Sequence, residues 1–394
     1  MHRPLQFLVA LVLIVGSSRA SAQSLVEPVY ATRAIKDVFF GTAKRFDGGI
    51  DTLKMNIFVP TNDNSTKRPL VVWVHGGGFI QGSRNDFNAL AETWAKRGYT
   101  AVTISYRLGI VGSLLDPPFA YDEAEAIRAC YRGIQDVRGG LRFLVKNAAA
   151  YGIDTGRCVI GGASAGSIIA LHAAYFDAQD PIPASAGAIS DAVRLTGTYP
   201  RPALGTPDGD LHLDVPTPSV KVVLNIFGAL FDVAYLGGAP FIPLFSYHQI
   251  DDPVVPCGTN RAYHAIGIVS SNYPYVNGTC TIKQELEKRG VPANLHEAIL
   301  HPGAAHEVHD PNGVDRAAAV FAAAWMLATT DVDDDSAIEL TGGLWNLVTI
   351  DGRSAGCDVD LSTHVALPDG IYAASQGERR HLVGVINGRV AVVR

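Results

Sequence analysis

Residues 158–171 read CVIGGASAGSIIAL, and this stretch decides the expected fold. Its first four residues form a short β-prone run, and residues 167–171 have a helical composition. Between them, residues 162–166 match G-x-S-x-G, the pattern of a tight strand-to-helix turn that lifts its serine hydroxyl clear of a sheet. Small residues avoid clashes in such a turn, and the following helix directs its N-terminal amides toward developing negative charge. The pattern predicts Ser164 as a nucleophile; the alternative is a buried serine at an ordinary helix start.

Strand-like and helix-like runs alternate on both sides of this stretch. Residues 69–74 form a nearly continuous apolar run, which is typical of a strand buried on both faces of a sheet. A helix capped by Asn85 or Asp86 is expected to end at Gly98. Further expected elements are extended segments within 38–60, strands at 99–105, 222–227, 241–247 and 295–300, helices at 122–150, 283–289 and 310–328, and loops over 175–221. This alternation predicts a mostly parallel sheet with helices on both faces, the α/β class.

A second motif, HGGGF at residues 75–79, directly follows the first apolar strand. Its glycines let the main chain approach a substrate and direct N–H groups at one oxygen. The amides of Gly77 and Gly78, with that of Ala165, are candidates for an oxyanion hole, where one donor is worth about 3 kcal/mol of transition-state stabilisation. A phosphate-binding loop is the competing use of glycines, but its GxxxxGK[ST] and GxGxxG spacings are absent. His75 is expected to order this loop through hydrogen bonds.

Four segments together resemble the α/β-hydrolase superfamily, within the carboxylesterases and hormone-sensitive-lipase-like esterases. They are VWVHGGGF at 72–79, SYRL at 105–108, YGID at 151–154 and GASAG at 162–166. The resemblance spans roughly residues 38–327. It implies a carboxylic ester hydrolase that works through an acyl-enzyme and needs no cofactor. Short acyl esters, or acetyl and feruloyl groups on plant polysaccharide, are the substrates that it implies.

The family order is serine, then acid, then histidine, so both partners are expected after Ser164. DDPVVP at 251–256 follows a strand and is similar to the family's acid loop. With His248 in the family's loop position, Asp252 fits the acid better than Asp251; alternatively, both are solvated turn residues. Family members usually carry glycine after that histidine, whereas this chain carries Gln249.

His306 lies in the small-residue loop before the last long helix, where the family places its catalytic base. His301 and His309 are the rivals, and we expect them at the preceding strand end and near the helix cap. The sequence HEVH at 306–309 is HExH and lacks the HExxH spacing, so no metal site is predicted.

Composition excludes several other classes of protein. Of 394 residues, 47% are hydrophobic and 18% are charged, below the roughly 25% charged of soluble chains, which excludes a disordered polyampholyte. The formal charge of −6 and the lack of a basic cluster disfavour a nucleic-acid binder. A serine peptidase of the same fold and a catalytically silent adhesion module remain alternatives to the esterase.

Both ends of the chain are expected to lie outside the catalytic domain. Residues 1–22 have the charged, apolar and small-residue plan of a secretory signal, and no later stretch reaches membrane-spanning length. We therefore expect a secreted or cell-surface protein with a catalytic domain over 23–330. An acidic linker over 331–335 would precede a small β-rich domain over 336–394. That tail resembles the C-terminal sorting domain of type IX secretion, which implies a contact with secretion machinery; an accessory substrate-binding module is the alternative.

Five cysteines leave at least one thiol unpaired within the chain. Sequence spacing suggests the pairs Cys130–Cys158 and Cys257–Cys280. The chain has no CxxC pair, which disfavours a redox dithiol or a zinc ribbon.

Overall fold

A computed structural model of the protein describes residues 25–63, 65–112, 119–238 and 240–328, together with the backbone of five strands between Leu344 and Val393. The expected signal segment, residues 1–22, and the expected acidic linker, residues 331–335, lie outside the described residues. Within the described part, no helix is both long enough and apolar enough to cross a membrane.

One sheet of eight strands organises residues 31–301, in the order β1-β2-β4-β3-β5-β8-β10-β13. The strands of this sheet are β1 (Ala31–Lys44), β2 (Ile50–Thr61), β3 (Arg68–Val74), β4 (Thr100–Ile104), β5 (Ile153–Ala163), β8 (Val220–Ile226), β10 (Leu244–Gln249) and β13 (His296–His301). The pairs β1–β2 and β2–β4 are antiparallel, whereas every pair from β4 to β13 is parallel. The predicted fold class is confirmed: this is a mostly parallel sheet of the α/β class, with helices on both faces.

Short strands and helices complete the described part. The remaining strands before the C-terminal segment are β6 (Ile189–Arg194), β7 (Gly197–Arg201), β9 (Ala229–Leu230), β11 (Thr259–Arg261) and β12 (Tyr275–Gly278). The helices are α1 (Asn88–Lys96), α2 (Glu123–Lys146), α3 (Ala148–Tyr151), α4 (Ala165–Tyr175), α5 (Gly267–Ser270), α6 (Thr279–Lys288) and α7 (Pro311–Ala328).

The sheet separates two hydrophobic cores, and β3 contributes to both. Leu70, Val72 and Val74 pack into the core that contains α2 and α4. Val71 and Trp73 point the other way, into the core that contains α1 and α7. Successive side chains of a strand face opposite sides of its sheet, so an almost uninterrupted apolar strand is what two helical layers require.

The helix after β3 begins differently from the prediction. Ser83, rather than Asn85 or Asp86, forms the cap: its hydroxyl accepts from the Asn85 amide, and the Asp86 carboxylate accepts from the Ser83 amide. This reciprocal pair starts a single 3-10 turn, Arg84–Phe87, before α1. The chain leaves α1 through Gly98, at φ +99°, as expected.

Several other expected elements have different bounds. The helix expected over 283–289 begins at Thr279. The helix expected over 122–150 is divided at Asn147 into α2 and α3, and Gly152 ends α3 in the left-handed region. The strand expected at 241–247 begins only at Leu244. The region 175–221, expected to be loops, contains the hairpin β6–β7.

Glycines inside α2 are explained by close packing. A Cβ at Gly133 would lie 2.5 Å from Cδ1 of Ile169 on α4, and a Cβ at Gly140 would overlap Ile104 on β4. In a helix interior, glycine is less favourable than alanine by about 1 kcal/mol. Here it lets α2 approach its neighbours closely. The tertiary packing therefore outweighs the local preference.

One of the two predicted disulfides is present and the other is not. Cys257 and Cys280 form a disulfide, as expected. The pairing of Cys130 with Cys158 is wrong: both are free thiols, buried on α2 and β5 in the apolar core. Burial raises the pKa of Cys158 to about 12, which makes it an inert core residue.

The C-terminal segment forms its own antiparallel sheet. Its strands are β14 (Leu344–Thr349), β15 (Ser354–Asp360), β16 (Gly370–Gln376), β17 (Arg379–Ile386) and β18 (Arg389–Val393), in the order β15-β14-β16-β17-β18. The division of the chain into a catalytic and a C-terminal domain stays a prediction.

Candidate active site

Ser164 occupies the turn between β5, which ends at Ala163, and α4, which begins at Ala165. Its backbone has φ +55° and ψ −128°, a region that residues with a side chain rarely adopt. The two glycines of the motif make this turn possible. A Cβ at Gly162 would lie 2.5 Å from the main chain of Gly166, and a Cβ at Gly166 would overlap the carbonyl oxygen of Val74. The G-x-S-x-G pattern is therefore a steric requirement of the turn.

His306 lies in the loop between β13 and α7, next to this serine. Its Nε2 is 2.8 Å from Ser164 Oγ, and its Nδ1 is 2.7 Å from Asp252 Oδ2. The ring packs against Phe227, with ring centroids 4.6 Å apart. The structure thus brings together the three side chains that the sequence named as nucleophile, base and acid.

Asp252 is buried and held from several sides. Its Oδ1 accepts from the amides of Val254 and Val255, at 2.8 and 3.1 Å. Burial disfavours its ionised form, but hydrogen bonds from His248 and His306 and from the Val254 amide outweigh that effect and lower its pKa to about 2. Asp252 is therefore a carboxylate at neutral pH, positioned to accept a hydrogen bond from the His306 ring.

The rival residues have other surroundings. Asp251 is exposed, and its main chain bonds to the carbonyl of Gly303. His301 and His309 stack on each other, with ring centroids 4.0 Å apart.

His75 has the loop-ordering geometry expected of it. Its Nδ1 lies 2.8 Å from the carbonyl oxygen of its neighbour Gly76, and its ring stacks on a tyrosine ring, with 4.5 Å between the centroids.

The glycine loop approaches Ser164 from the end of β3. Gly77 has φ +108° and Gly78 has φ +61°. A Cβ at Gly77 would overlap the carbonyl of Gln81, so the chain can turn there only at glycine. Gly78 and Ala165 both line the cavity beside Ser164, whereas Gly77 lies one residue behind that lining. The site thus has two main-chain segments beside the serine, as an oxyanion hole requires.

The cavity beside Ser164 is small and apolar, with a volume of about 30 Å³. Its walls include Ile168, Phe231, Val254, Tyr263, Tyr273 and Val276. About 10–15 Å³ on this scale holds a single water molecule, so the cavity has room for a group of only a few heavy atoms.

Gln249 has a structural role that the sequence interpretation did not foresee. It ends β10 directly opposite His301, the last residue of β13. Its Oε1 accepts from the Ala305 amide at 2.9 Å, and its Nε2 donates to the Glu307 carbonyl at 3.0 Å. The two bonds hold the main chain on either side of His306. The only signal was the departure from the glycine usual at this position.

A buried polar network supports the acid from the other side. Asn225 donates to Thr279 Oγ1 at 3.1 Å and accepts from Ser167 at 2.6 Å. Thr279 Oγ1 lies 3.0 Å from Nδ1 of His248, whose Nε2 lies 2.9 Å from the Val255 carbonyl oxygen and 3.5 Å from Asp252 Oδ2. Both ring nitrogens of His248 therefore have polar partners. Sequence alone did not indicate this network because its members lie on four separate elements.

Part of this chain matches a known protein family. Residues 55–194 match the BD-FAE family model. The matched segment contains the glycine loop and Ser164 but ends before Asp252 and His306.

Curated relatives match over similarly short segments. The chain is 34% identical over 139 residues to the phenmedipham hydrolase of Pseudarthrobacter oxydans, covering 34% of this chain and 24% of that protein. It is 32% identical over 121 residues to the fumonisin B1 esterase of Sphingopyxis macrogoltabida, covering 30% and 22%. The chain thus spans about a quarter of the length of these relatives. Among solved structures, Thermogutta terrifontis esterase 2 phosphonylated by cyclosarin is similar, with 17% identity, a TM-score of 0.45, and coverage of 72% of this chain and 91% of that one.

Proposed function

We propose that this protein is a serine-dependent carboxylic ester hydrolase. The observation that carries the proposal is the hydrogen-bonded series Ser164 Oγ, His306 Nε2, His306 Nδ1 and Asp252 Oδ2, with distances of 2.8 and 2.7 Å. A nucleophile bonded to a base that is itself oriented by an acid is the arrangement that activates a hydroxyl. One of the relatives described above is named an esterase and another a hydrolase, which agrees with this proposal.

In the proposed reaction, Ser164 Oγ attacks the ester carbonyl carbon while His306 Nε2 takes the hydroxyl proton. Asp252 holds the ring with its Nδ1–H toward Oδ2 and stabilises the imidazolium. The amides of Gly77, Gly78 and Ala165 are the proposed donors to the negative oxygen of the tetrahedral intermediate. His306 then gives its proton to the departing alkoxide, which leaves an acyl-enzyme and an alcohol.

The second half of the reaction repeats these roles with water. His306 takes a proton from the water as the water attacks the acyl carbon. It then gives this proton to the departing Ser164 Oγ, which releases a carboxylic acid and restores the free enzyme. The reaction as written uses no metal and no cofactor.

The proposed substrates are esters of short acyl groups. The apolar cavity beside Ser164 supports this choice, because its volume of about 30 Å³ suits a group of a few heavy atoms, such as acetyl, better than a long chain. The alcohol part of the ester would lie outside this cavity and can be large, which agrees with an acyl group carried on a plant polysaccharide.

The test replaces the nucleophile. Ser164→Ala is expected to abolish p-nitrophenyl acetate turnover and labelling by a fluorophosphonate, with an unchanged unfolding curve. The exposed Ser271→Ala is the matched control and should keep both activities. Labelling of Ser164 also separates an enzyme from a catalytically silent binding module. Turnover that survives in Ser164→Ala would contradict the assignment.

We further propose that the protein is exported and acts at the cell surface or beyond it. The Cys257–Cys280 disulfide supports this, because disulfides persist mainly outside the reducing cytosol. Fractionation of cells that produce the full chain should place ester hydrolysis outside the cytoplasm, and deletion of residues 1–22 should retain it inside.

For the tail, deletion of residues 336–394 distinguishes two roles. A sorting signal predicts misdirected but active enzyme, whereas a substrate-binding module predicts loss on acetylated xylan alone.

A further inference from the structure

A second cavity lies apart from Ser164. It is formed by the turn between β1 and β2, by the segment after β4, by α2, and by the end of β7 with the segment that follows it. Its volume is about 340 Å³. Ligand sites for small molecules typically occupy 300–1,000 Å³, so this cavity is large enough for one. The cavity beside Ser164, at about 30 Å³, is much smaller.

The walls of this second cavity are strongly basic. Six basic side chains line it: Lys44, Arg45, Arg107, Arg128, Arg132 and Arg201. Only two acidic side chains, Asp47 and Glu125, share the lining. The chain as a whole carries a formal charge of −6, so the concentration of cations here opposes the overall balance. A cavity lined by one sign of charge attracts ligands of the other sign.

Three of these arginines have carboxylate partners within the fold. Arg45 pairs with Asp47, at 2.6 Å. Arg107 pairs with the buried Asp136, with 2.8 Å between the closest atoms. Arg201 pairs with Asp122 and Glu125, at 2.8 and 3.2 Å. Their charges are therefore largely balanced by the protein itself.

Arg128 and Arg132 are different. Arg128 donates to the carbonyls of Ser185, Gly187 and Pro202. Arg132 donates to the carbonyl of Gly109, at 3.0 Å. Among the residues that the structure describes, neither guanidinium hydrogen-bonds to a carboxylate.

The Arg132 side chain is also incompletely satisfied. The residue is only 2% exposed, and its Nε has no hydrogen-bond partner within the described part of the chain. Burial lowers the pKa of Arg132 to about 10, so the group still carries its charge at neutral pH. Glu125 and Asp136 act on this cation only through space, without a hydrogen bond. A buried cation with no hydrogen-bonded anion is costly, and an anion that bonded to it would offset that cost.

The rest of the lining is suited to an organic molecule. Phe46, Val111 and Leu204 add apolar surface to the basic walls. The two cavities share no lining residue: on α2, Ala126 lines the cavity of Ser164, whereas its neighbour Glu125 lines the basic cavity. The combination of charge, size and apolar surface fits a sugar-sized anion better than a bare inorganic ion.

We propose that this basic cavity, lined by Arg128 and Arg132, is a second ligand site that binds a small organic molecule carrying a carboxylate or a phosphate, such as an acidic sugar. The proposal is independent of the ester chemistry at Ser164.

The test is titration calorimetry of the full chain at fixed ionic strength. The probes are glucuronate for a carboxylate, glucose 6-phosphate for a phosphate, and glucose as the neutral control. We expect saturable binding of at least one anionic sugar and none of glucose. Binding should persist after Ser164 is blocked by a fluorophosphonate, which separates this site from the proposed ester site. The absence of saturable binding of either anion up to on the order of 10 mM would overturn the proposal.

Two variants locate the binding. Arg132→Gln removes the under-satisfied cation and should weaken binding about tenfold, equivalent to about 1.4 kcal/mol. Because a buried change can disturb folding, Arg45→Gln at the accessible rim is the second variant and should weaken binding about threefold. The matched control is Arg33→Gln, an exposed position near the other end of β1, roughly 35 Å away at about 3.4 Å per residue. Equal affinity of Arg45→Gln and Arg33→Gln would place any binding outside the cavity and contradict the proposal.

Discussion

Replacing Gln249 by alanine tests whether the position of His306 depends on the side-chain amide of Gln249. The side chain makes two hydrogen bonds, to the amide of Ala305 and to the carbonyl of Glu307, and it is 4% exposed. Each such bond contributes about 1 kcal/mol net, and its loss leaves a partly buried main-chain group unsatisfied. We therefore expect Gln249→Ala to lower the free energy of unfolding by about 2–3 kcal/mol.

The effect on catalysis should be larger than that on substrate binding. His306 must hold its Nε2 at hydrogen-bond distance from Ser164, now 2.8 Å, throughout the reaction. A displacement of about 1 Å in a positioned group can reduce the rate about 100-fold, so we expect kcat to fall about 10- to 100-fold. KM should change little, since the proposed acyl cavity contains no atom of Gln249.

The assay is p-nitrophenyl acetate turnover over a range of substrate concentrations, with urea unfolding of the same samples. Gln179→Ala, at an exposed glutamine, is the matched control and should leave both quantities unchanged. Gln249→Glu should recover part of kcat, because a carboxylate oxygen can still accept from the Ala305 amide. A folded Gln249→Ala with unchanged kcat would refute the reasoning.

Three further changes have defined outcomes. The lowered pKa of Asp252 contributes about 2 kcal/mol of stability, which is complete above the unfolded-state pKa near 4 and is lost as the pH falls toward 2. The free energies of urea unfolding of wild type and Asp252→Asn should therefore converge over that pH range. A constant difference between them would contradict the lowered pKa. Replacing Cys257 and Cys280 together by serine removes a cross-link between residues 23 apart and should cost about 3 kcal/mol in urea unfolding, whereas an unchanged midpoint would show that the bond does not form. Gly166→Ala places a methyl group on a backbone carbonyl and should destabilise the protein by about 1–3 kcal/mol, unlike Gly267→Ala, where no neighbour lies within 4 Å; equal melting temperatures would disprove the steric argument.

Local sequence was sufficient for part of this site. Ser164 and the glycine loop lie on motifs whose spacing carries its own steric reason, and the alternation of elements predicted the parallel sheet. Asp252 and His306 were identified through a family resemblance: its order of residues, its acid loop and the small-residue loop where it places the base. The chemistry of their neighbours alone does not distinguish them from Asp251 or His301.

Other features could not be predicted because they depend on contacts between distant parts of the chain. The two bonds of Gln249 arise from the register of β10 with β13, and register is not visible in a single strand. Spacing suggested a bridge between Cys130 and Cys158 because it contains no information on which faces of α2 and β5 are buried. The basic cavity collects arginines from four chain segments that are far apart in sequence.

The parallel direction of β5, β10 and β13 affects which parts of this chain can accept insertions and substitutions. Ser164, Asp252 and His306 each follow one of these strands, so all three emerge along a single border of the sheet. The connections at the opposite border carry none of them. Insertions and substitutions there can alter surface, solubility or partners while the reacting groups keep their spacing, so the scaffold separates the part that must stay constant from the part that is free to diversify.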